Sequence, residues 1–186
     1  MYKSIPLLLL GIMAIACKTT KKVITQDVKE KTFLFPVDWI GEYEGTLNIY
    51  SFNKKDSEVR TRLYIDYPNA EGYYPWTIVY GEDDVRKYGV EAINPQNGHY
   101  IMDEYNSILL DCYQVSNNFI SRFKVGDTNL LVDYERVAEG IIVQFFVSKA
   151  ASHSTTGGEI IKNDTIPLVD SYPMAAYQKG FLKKKE

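Results

Sequence analysis

From Phe119 to Ser148 the chain offers three runs rich in β-branched and aromatic residues: Phe119 to Val125, Leu130 to Val137 and Ile141 to Ser148. They are joined by little more than Gly126-Asp127-Thr128 and Ala138-Glu139-Gly140. Connections this short admit antiparallel hairpins and exclude parallel crossovers, which need a dozen or more residues. No stretch before Lys149 sustains a helical period, so an α/β arrangement is disfavoured. The fold class is set by that constraint: an antiparallel meander.

The same period runs upstream. In Gly41 to Tyr50, Tyr43, Leu47 and Ile49 share one parity while Glu42, Glu44, Thr46 and Asn48 share the other, as in a half-buried strand. Gly41 and Gly45 fall on the inward parity, where a missing side chain permits sharp curvature or close approach of another backbone. Val59, Leu63, Ile65 and Tyr67 alternate with Arg60 and Arg62, and Pro68 to Gly72 reads as a turn. Trp76 to Tyr80 and Val85 to Ile93 follow, separated by the acidic Gly81-Glu82-Asp83-Asp84. Asn94-Pro95-Gln96-Asn97-Gly98 carries a hairpin signal, with Pro fixing φ early and Asn-Gly supporting positive φ late. His99 to Glu104 and Ser107 to Tyr113 continue the meander.

Lys149 to Gly158 is small and polar, the composition of a mobile loop, and Glu159 to Thr165 offers one more strand. The tail from Tyr172 to Leu182 reads as a last strand closing the sheet or as a short helix against it; Pro173 and Gly180 favour the strand. Lys183 to Lys185 reads as a solvated end. About eight to ten antiparallel strands leave two aggregation-prone edges if flat, and closure into a barrel removes them. The expected fold is therefore all-β, an up-and-down meander closed into a barrel over residues 33–186. With Trp39, Gly41, Tyr43, Gly45 and Leu47 at alternate positions before a meander, the pattern resembles the calycin superfamily of lipocalins, fatty-acid-binding proteins and nitrobindin-like barrels. That resemblance implies an interior able to hold a small ligand.

Residues 1–16 have a different grammar. Lys3 precedes an apolar run from Ile5 to Ile15, and Ala14-Ile15-Ala16 places small residues before Cys17, as in a secretory signal. A membrane-spanning helix needs roughly 20 apolar residues, and this run is shorter. The segment resembles a bacterial lipobox, with Ala14 where leucine is usual, which implies cleavage before Cys17 and acylation of its thiol and new amino group. Anchoring becomes stable with two or more chains. Residues 17–32 are polar and charged, as in a flexible tether. Known surface-export signals next to such a cysteine resemble acidic clusters, whereas Lys18-Thr19-Thr20-Lys21-Lys22 is basic. The expected address is a bacterial envelope, at the periplasmic face of an outer membrane rather than the cell exterior.

With Cys17 lipidated, Cys112 is the only cysteine left and no intramolecular disulfide can form. The formal charge of −3 and the scattered basic residues leave no stripe to follow a phosphate backbone, so nucleic acid is not an expected partner. Ser152-His153-Ser154 lacks a nucleophile elbow and an acidic orienter. His99 and His153 have no second ligand at metal spacing, and neither Glu82-Asp83-Asp84 nor Asp103-Glu104 has the spaced loop of a calcium site. No catalytic residue, metal or cofactor is assigned.

Two arginines share parity with apolar residues: Arg86 with Tyr88, Val90 and Ala92, and Arg136 with Leu130, Val132 and Tyr134. If those faces line a barrel, the guanidinium groups meet an anionic headgroup, since a planar fork pairs bidentately with oxygen acids. Alternatively both lie at strand ends, reaching water or pairing with Asp103, Glu104 or Glu135. Trp76, Ile78 and Tyr80 form an inward aromatic parity that is core, or pocket wall if a cavity exists. The expected ligand pocket is thus Trp76, Tyr80, Arg86, Tyr88, Tyr134 and Arg136, in a non-enzymatic envelope lipoprotein binding a small amphiphile. The rival expectation is an interaction module whose outward tyrosines, Tyr50, Tyr64 and Tyr113 among them, dock on an envelope protein or glycan.

Overall fold

A computed structural model describes residues 31–52 and 54–186. The expected signal, Cys17 and residues 18–30 of the expected tether lie outside the described residues. Nine strands follow in chain order: β1 (Gly41–Ser51), β2 (Ser57–Ile65), β3 (Tyr74–Tyr80), β4 (Asp84–Asn94), β5 (His99–Asp103), β6 (Leu109–Val115), β7 (Asn118–Val125), β8 (Thr128–Val137) and β9 (Gly140–Lys149). Four short strands come next, β10 (Ser154–Thr156), β11 (Ile160–Ile161), β12 (Asp164–Thr165) and β13 (Val169–Ser171), and then β14 (Met174–Lys184). Each of β1 to β9 pairs antiparallel with its sequence neighbour, and β14 fills the gap between β9 and β1 to close a ten-stranded barrel. The tail is therefore the closing strand, and the meander is the one that the short connections dictate.

Glycine makes the closing seam possible. Gly45 lies opposite Leu182 and Gly180 opposite Leu47, and a Cβ at Gly45 would collide with the carbonyl oxygen of Phe181. A Cβ at Gly180 would lie 2.6 Å from the carbonyl oxygen of Thr46. Outside the seam Glu44 pairs with Lys185 at 2.5 Å and with Arg60, and those two cations hold its carboxyl down at about 2. The Pro95–Asn97 segment forms a single 3-10 turn capped by Asn94, whose side chain accepts from the Asn97 N–H at 3.3 Å. Gly98 then turns the chain with φ +68°, a conformation that suits glycine.

Three expectations are corrected. Residues 149–158 are not a plain loop: β10 pairs with β13 in an arm that rises between β9 and β14. Residues 159–165 add no barrel strand but the two-residue ladder β11–β12 in that arm, because they turn back on themselves through Lys162 and Asn163, both at positive φ. Tyr67 does not face inward. Pairing of β2 with β1 ends at Ile65, and Tyr67 is left 71% exposed in the link to β3.

Ten strands enclose a wider lumen than the eight that side chains alone just fill. At the end where β1 begins, that excess is taken up by the chain itself. Residues 33–40 fold inward through a tight turn in which Pro36 O accepts from Trp39 N at 2.9 Å and from Ile40 N at 3.1 Å, while Asp38 caps Leu34 N at 2.8 Å. The turn drives Phe35 and the wholly buried Trp39 into the barrel, against Trp76, Tyr100 and Phe119 at centroid separations of 5.0–6.4 Å. Gln114 and Asn117 fasten this plug from the wall: Gln114 Nε2 donates to Phe33 O at 2.8 Å, and Phe33 N donates to Asn117 Oδ1 at 2.7 Å. We call this the closed end. The opposite, open end is rimmed by the links β1–β2, β3–β4, β5–β6 and β7–β8 and by the arm between β9 and β14.

Candidate functional site

Nothing comparable fills the lumen at the open end. A cavity of about 450 Å³ occupies it, lined by inward residues of β3 to β9, within the size range typical of small-molecule sites. Its walls are mainly apolar: Ile78 from β3, Met102 from β5, Leu110 from β6, Phe123 and Val125 from β7, Leu130 and Val132 from β8, and Phe145 from β9. Tyr134 and Phe119 form part of the lining and also touch Trp76 beneath, with ring centroids 5.0 Å and 5.7 Å away. The aromatic layer that packs the closed end is thus the cavity floor.

Polar groups are few and placed. Tyr80, Tyr88 and Tyr134 bring three phenols, Ser121 a hydroxyl already donated to Asp111 O at 2.8 Å, and Cys112 a thiol 3.7 Å from Leu110 O. Burial pushes the Tyr80 phenol up to about 12 and the Tyr134 phenol well above its ordinary value. Tyr88 is raised as well, first by burial and then by the carboxylate of Glu104. Burial likewise lifts the Cys112 thiol to about 12, so it is a thiol rather than a thiolate and no activated nucleophile. Among the described lining residues, charge appears only at the mouth. Arg86 donates to Asp84 through Nε at 3.1 Å and Nη2 at 3.0 Å and lies 5.3 Å from the Tyr80 ring centre, with Glu104 nearby on the lining.

Of the residues expected from the sequence, Tyr80, Arg86, Tyr88 and Tyr134 are brought together around this cavity. Trp76 is not on its wall; it lies one layer below, with no exposed surface, and its Nε1 has no hydrogen-bond partner among the described residues. Arg136 is a correction of larger consequence. It sits at the closed end, where Nε donates to Asp38 O at 2.9 Å and Nη1 to Gly140 O at 3.0 Å and to Val137 O. Its guanidinium stacks 4.7 Å from the Phe33 ring centre. Inward parity was right, but β8 runs the length of the barrel, and its last inward position reaches the plug rather than the lumen. Arg136 is a clamp on the plug. Both arginines do lie near strand ends, but not with the expected partners: Arg136 donates to backbone carbonyls, and Arg86 pairs with Asp84, two positions away, rather than with Asp103 or Glu104.

Sequence reasoning missed most of the apolar wall, including Met102, Leu110, Phe123 and Phe145. The signal was available: these are inward-parity residues, and Phe123 and Leu130 flank the Gly126 turn that marks the open rim. His99 belongs elsewhere, its Nε2 2.8 Å from Asp111 Oδ1 and its ring stacked on Tyr113 at 4.9 Å on the outer face. Among the described residues, no three His, Cys, Asp or Glu side chains are grouped to hold a metal ion.

Fold and cavity define a class: a ten-stranded antiparallel barrel, plugged at one end and hollow at the other. The chain is similar in structure to a protein of unknown function from the DUF3598 family of Nostoc punctiforme PCC 73102, with TM-score 0.62 and 10% sequence identity. The match covers 87% of this chain and 53% of that one, so this chain spans about half the length of that protein, and at such identity the likeness shows the barrel fold alone. No protein-family model and no curated protein matches the sequence.

Proposed function

We propose that this chain is a lipid-anchored envelope protein that binds a small hydrophobic or amphiphilic molecule in the open half of its barrel, without performing chemistry on it. The cavity carries the reading. Some 450 Å³ of lumen is walled by aliphatic and aromatic side chains that would gain by covering a ligand, with a few phenols to orient it. The supporting feature for the anchor is the Lys3 to Cys17 segment, whose pattern suits acylation of Cys17. A tethered binder of this kind works on molecules at or near a membrane surface, on the periplasmic side by the basic residues after Cys17.

Gentle isolation of the full chain from membranes followed by native mass spectrometry tests both halves. The expected spectrum shows an acyl mass that disappears in Cys17→Ser and a separate co-purifying small molecule that disappears in Leu110→Trp, which fills the cavity. An empty wild-type barrel overturns the binding reading. A second reading, an interaction module, is favoured by one observation: the arm bearing β10 to β13 exposes Ile160 by 74% and Leu168 by 71%. Crosslinking in cells from the arm to a single envelope protein, with an empty cavity, would select it.

A further inference from the structure

Resting on the reading of the open end as a ligand site, we propose that its ligand is a neutral, largely apolar molecule carrying an oxygen acceptor, such as a ketone, ester or alcohol, held by the phenols of Tyr80, Tyr88 and Tyr134. The argument starts from charge. Among the described residues the sole cation on the lining is Arg86, and Asp84 already occupies it with two hydrogen bonds. Glu104 adds a further carboxylate at the mouth, and Arg136 is spent on backbone carbonyls at the other end. A carboxylate or phosphate drawn into this lumen would lose its water and gain no free positive partner, which is unfavourable in an apolar enclosure.

A pure hydrocarbon fits no better. In the ring of ten strands β3 and β8 are five places apart, so Tyr80 and Tyr134 face each other across the lumen, with Tyr88 from β4 beside Tyr80. Each of these side chains lines the cavity. Neither Tyr80 nor Tyr134 has a hydrogen bond to a described residue contributing to its ionisation, whereas Tyr88 leans on Arg86. An alkane would strip water from these hydroxyls and return no hydrogen bond, leaving donors unpaired. One oxygen on the ligand relieves that penalty, and protonated phenols are donors suited to a neutral acceptor. Apolar Phe123, Val125 and Leu130 on the β7–β8 side then cover the rest of the molecule.

Octane, 2-octanone and octanoate, titrated at pH 7 into the full chain and read by tryptophan emission, separate the alternatives. The ketone is expected to bind about tenfold tighter than the alkane and at least as much tighter than the carboxylate, a ratio that corresponds to one net neutral hydrogen bond. The double variant Tyr80→Phe, Tyr134→Phe should bring the ketone down to the alkane's affinity and leave the alkane unchanged. A merely structural role for the phenols would weaken both probes alike, and that result overturns the proposal. If the double variant does not fold, the half-buried Tyr80→Phe carries the same comparison. Octanoate binding best overturns the ligand class while the cavity reading survives; no binding of any probe, with Leu110→Trp indistinguishable from wild type, overturns both.

Discussion

The two ends of this barrel are built from the same strands and solve the same geometric problem in opposite ways. A ten-stranded lumen is too wide for its own inward side chains. At the closed end an extra segment, Phe33 to Ile40, is folded in and tied down by Gln114, Asn117 and Arg136. At the open end no segment enters, and the unfilled width becomes the cavity. Stability is therefore concentrated where the plug sits, and binding capacity where it does not. One sheet can serve both because inward positions at each end are separated by the aromatic layer of Trp76 and Phe119.

The sharpest way to break this division is to truncate one large side chain at each end. Trp39 is wholly buried among the rings of Phe35, Trp76 and Phe119, so Trp39→Ala should cost about 3–5 kcal/mol in chemical denaturation, the range for removing a buried aromatic. Leu130 already borders empty space, so Leu130→Ala deletes fewer contacts and should cost less than about 1 kcal/mol while changing what the cavity binds. Equal costs at the two ends would mean that the open half is packed in solution, and the contrast would collapse.

Arg136 sharpens the same contrast. Replacing it by leucine leaves the carbonyls of Asp38, Val137 and Gly140 without their donor, a loss of about 1–3 kcal/mol on the usual scale for buried groups left unpaired. Binding at the other end should be unaffected. The measurement pairs a denaturation midpoint with a ligand titration on Arg136→Leu, and a variant of normal stability that has lost ligand affinity would return Arg136 to the pocket.

Much of the fold was legible because its signals are local. Short links at Gly126 and Gly140 forced hairpins, alternation gave each strand its inward face, and the inward glycines of β1 anticipated the approach of β14 at Gly45. The site was legible only in part, because parity tells which face a residue takes but not how far along the barrel it lies. Tyr134 and Arg136 share a face two residues apart, yet one lines the cavity and the other clamps the plug. What separates them is the infolding of residues 33–40, which depends on hydrogen bonds with Gln114 and Asn117, some eighty residues away, and leaves no trace in the local pattern. The arm was missed for a related reason: its ladders are two and three residues long, too short to show a period.

The smallest effect separates the ends by pH. At the open end Tyr80 ionises near 10 in the unfolded chain and near 12 in the barrel, because burial opposes the phenolate. Cys112 runs from 9 to about 12 for the same reason. Each folded value lies above its unfolded value, so in that interval the native state holds protons that the unfolded state has released. Stability then falls as pH rises, being complete below about pH 9 and declining towards pH 12. At the closed end burial raises Tyr43 and Tyr100 in the same direction, with Arg136 opposing the rise at Tyr43, so a variant confined to the open-end groups is needed to isolate their share. Thermal melts across the alkaline range should show the decline in the wild type and a shallower one in the double variant Tyr80→Phe, Cys112→Ala. An unchanged slope would show that the open-end phenol and thiol are as well solvated in the barrel as in the unfolded chain, and that the cavity is wet enough to erase the difference between the two ends.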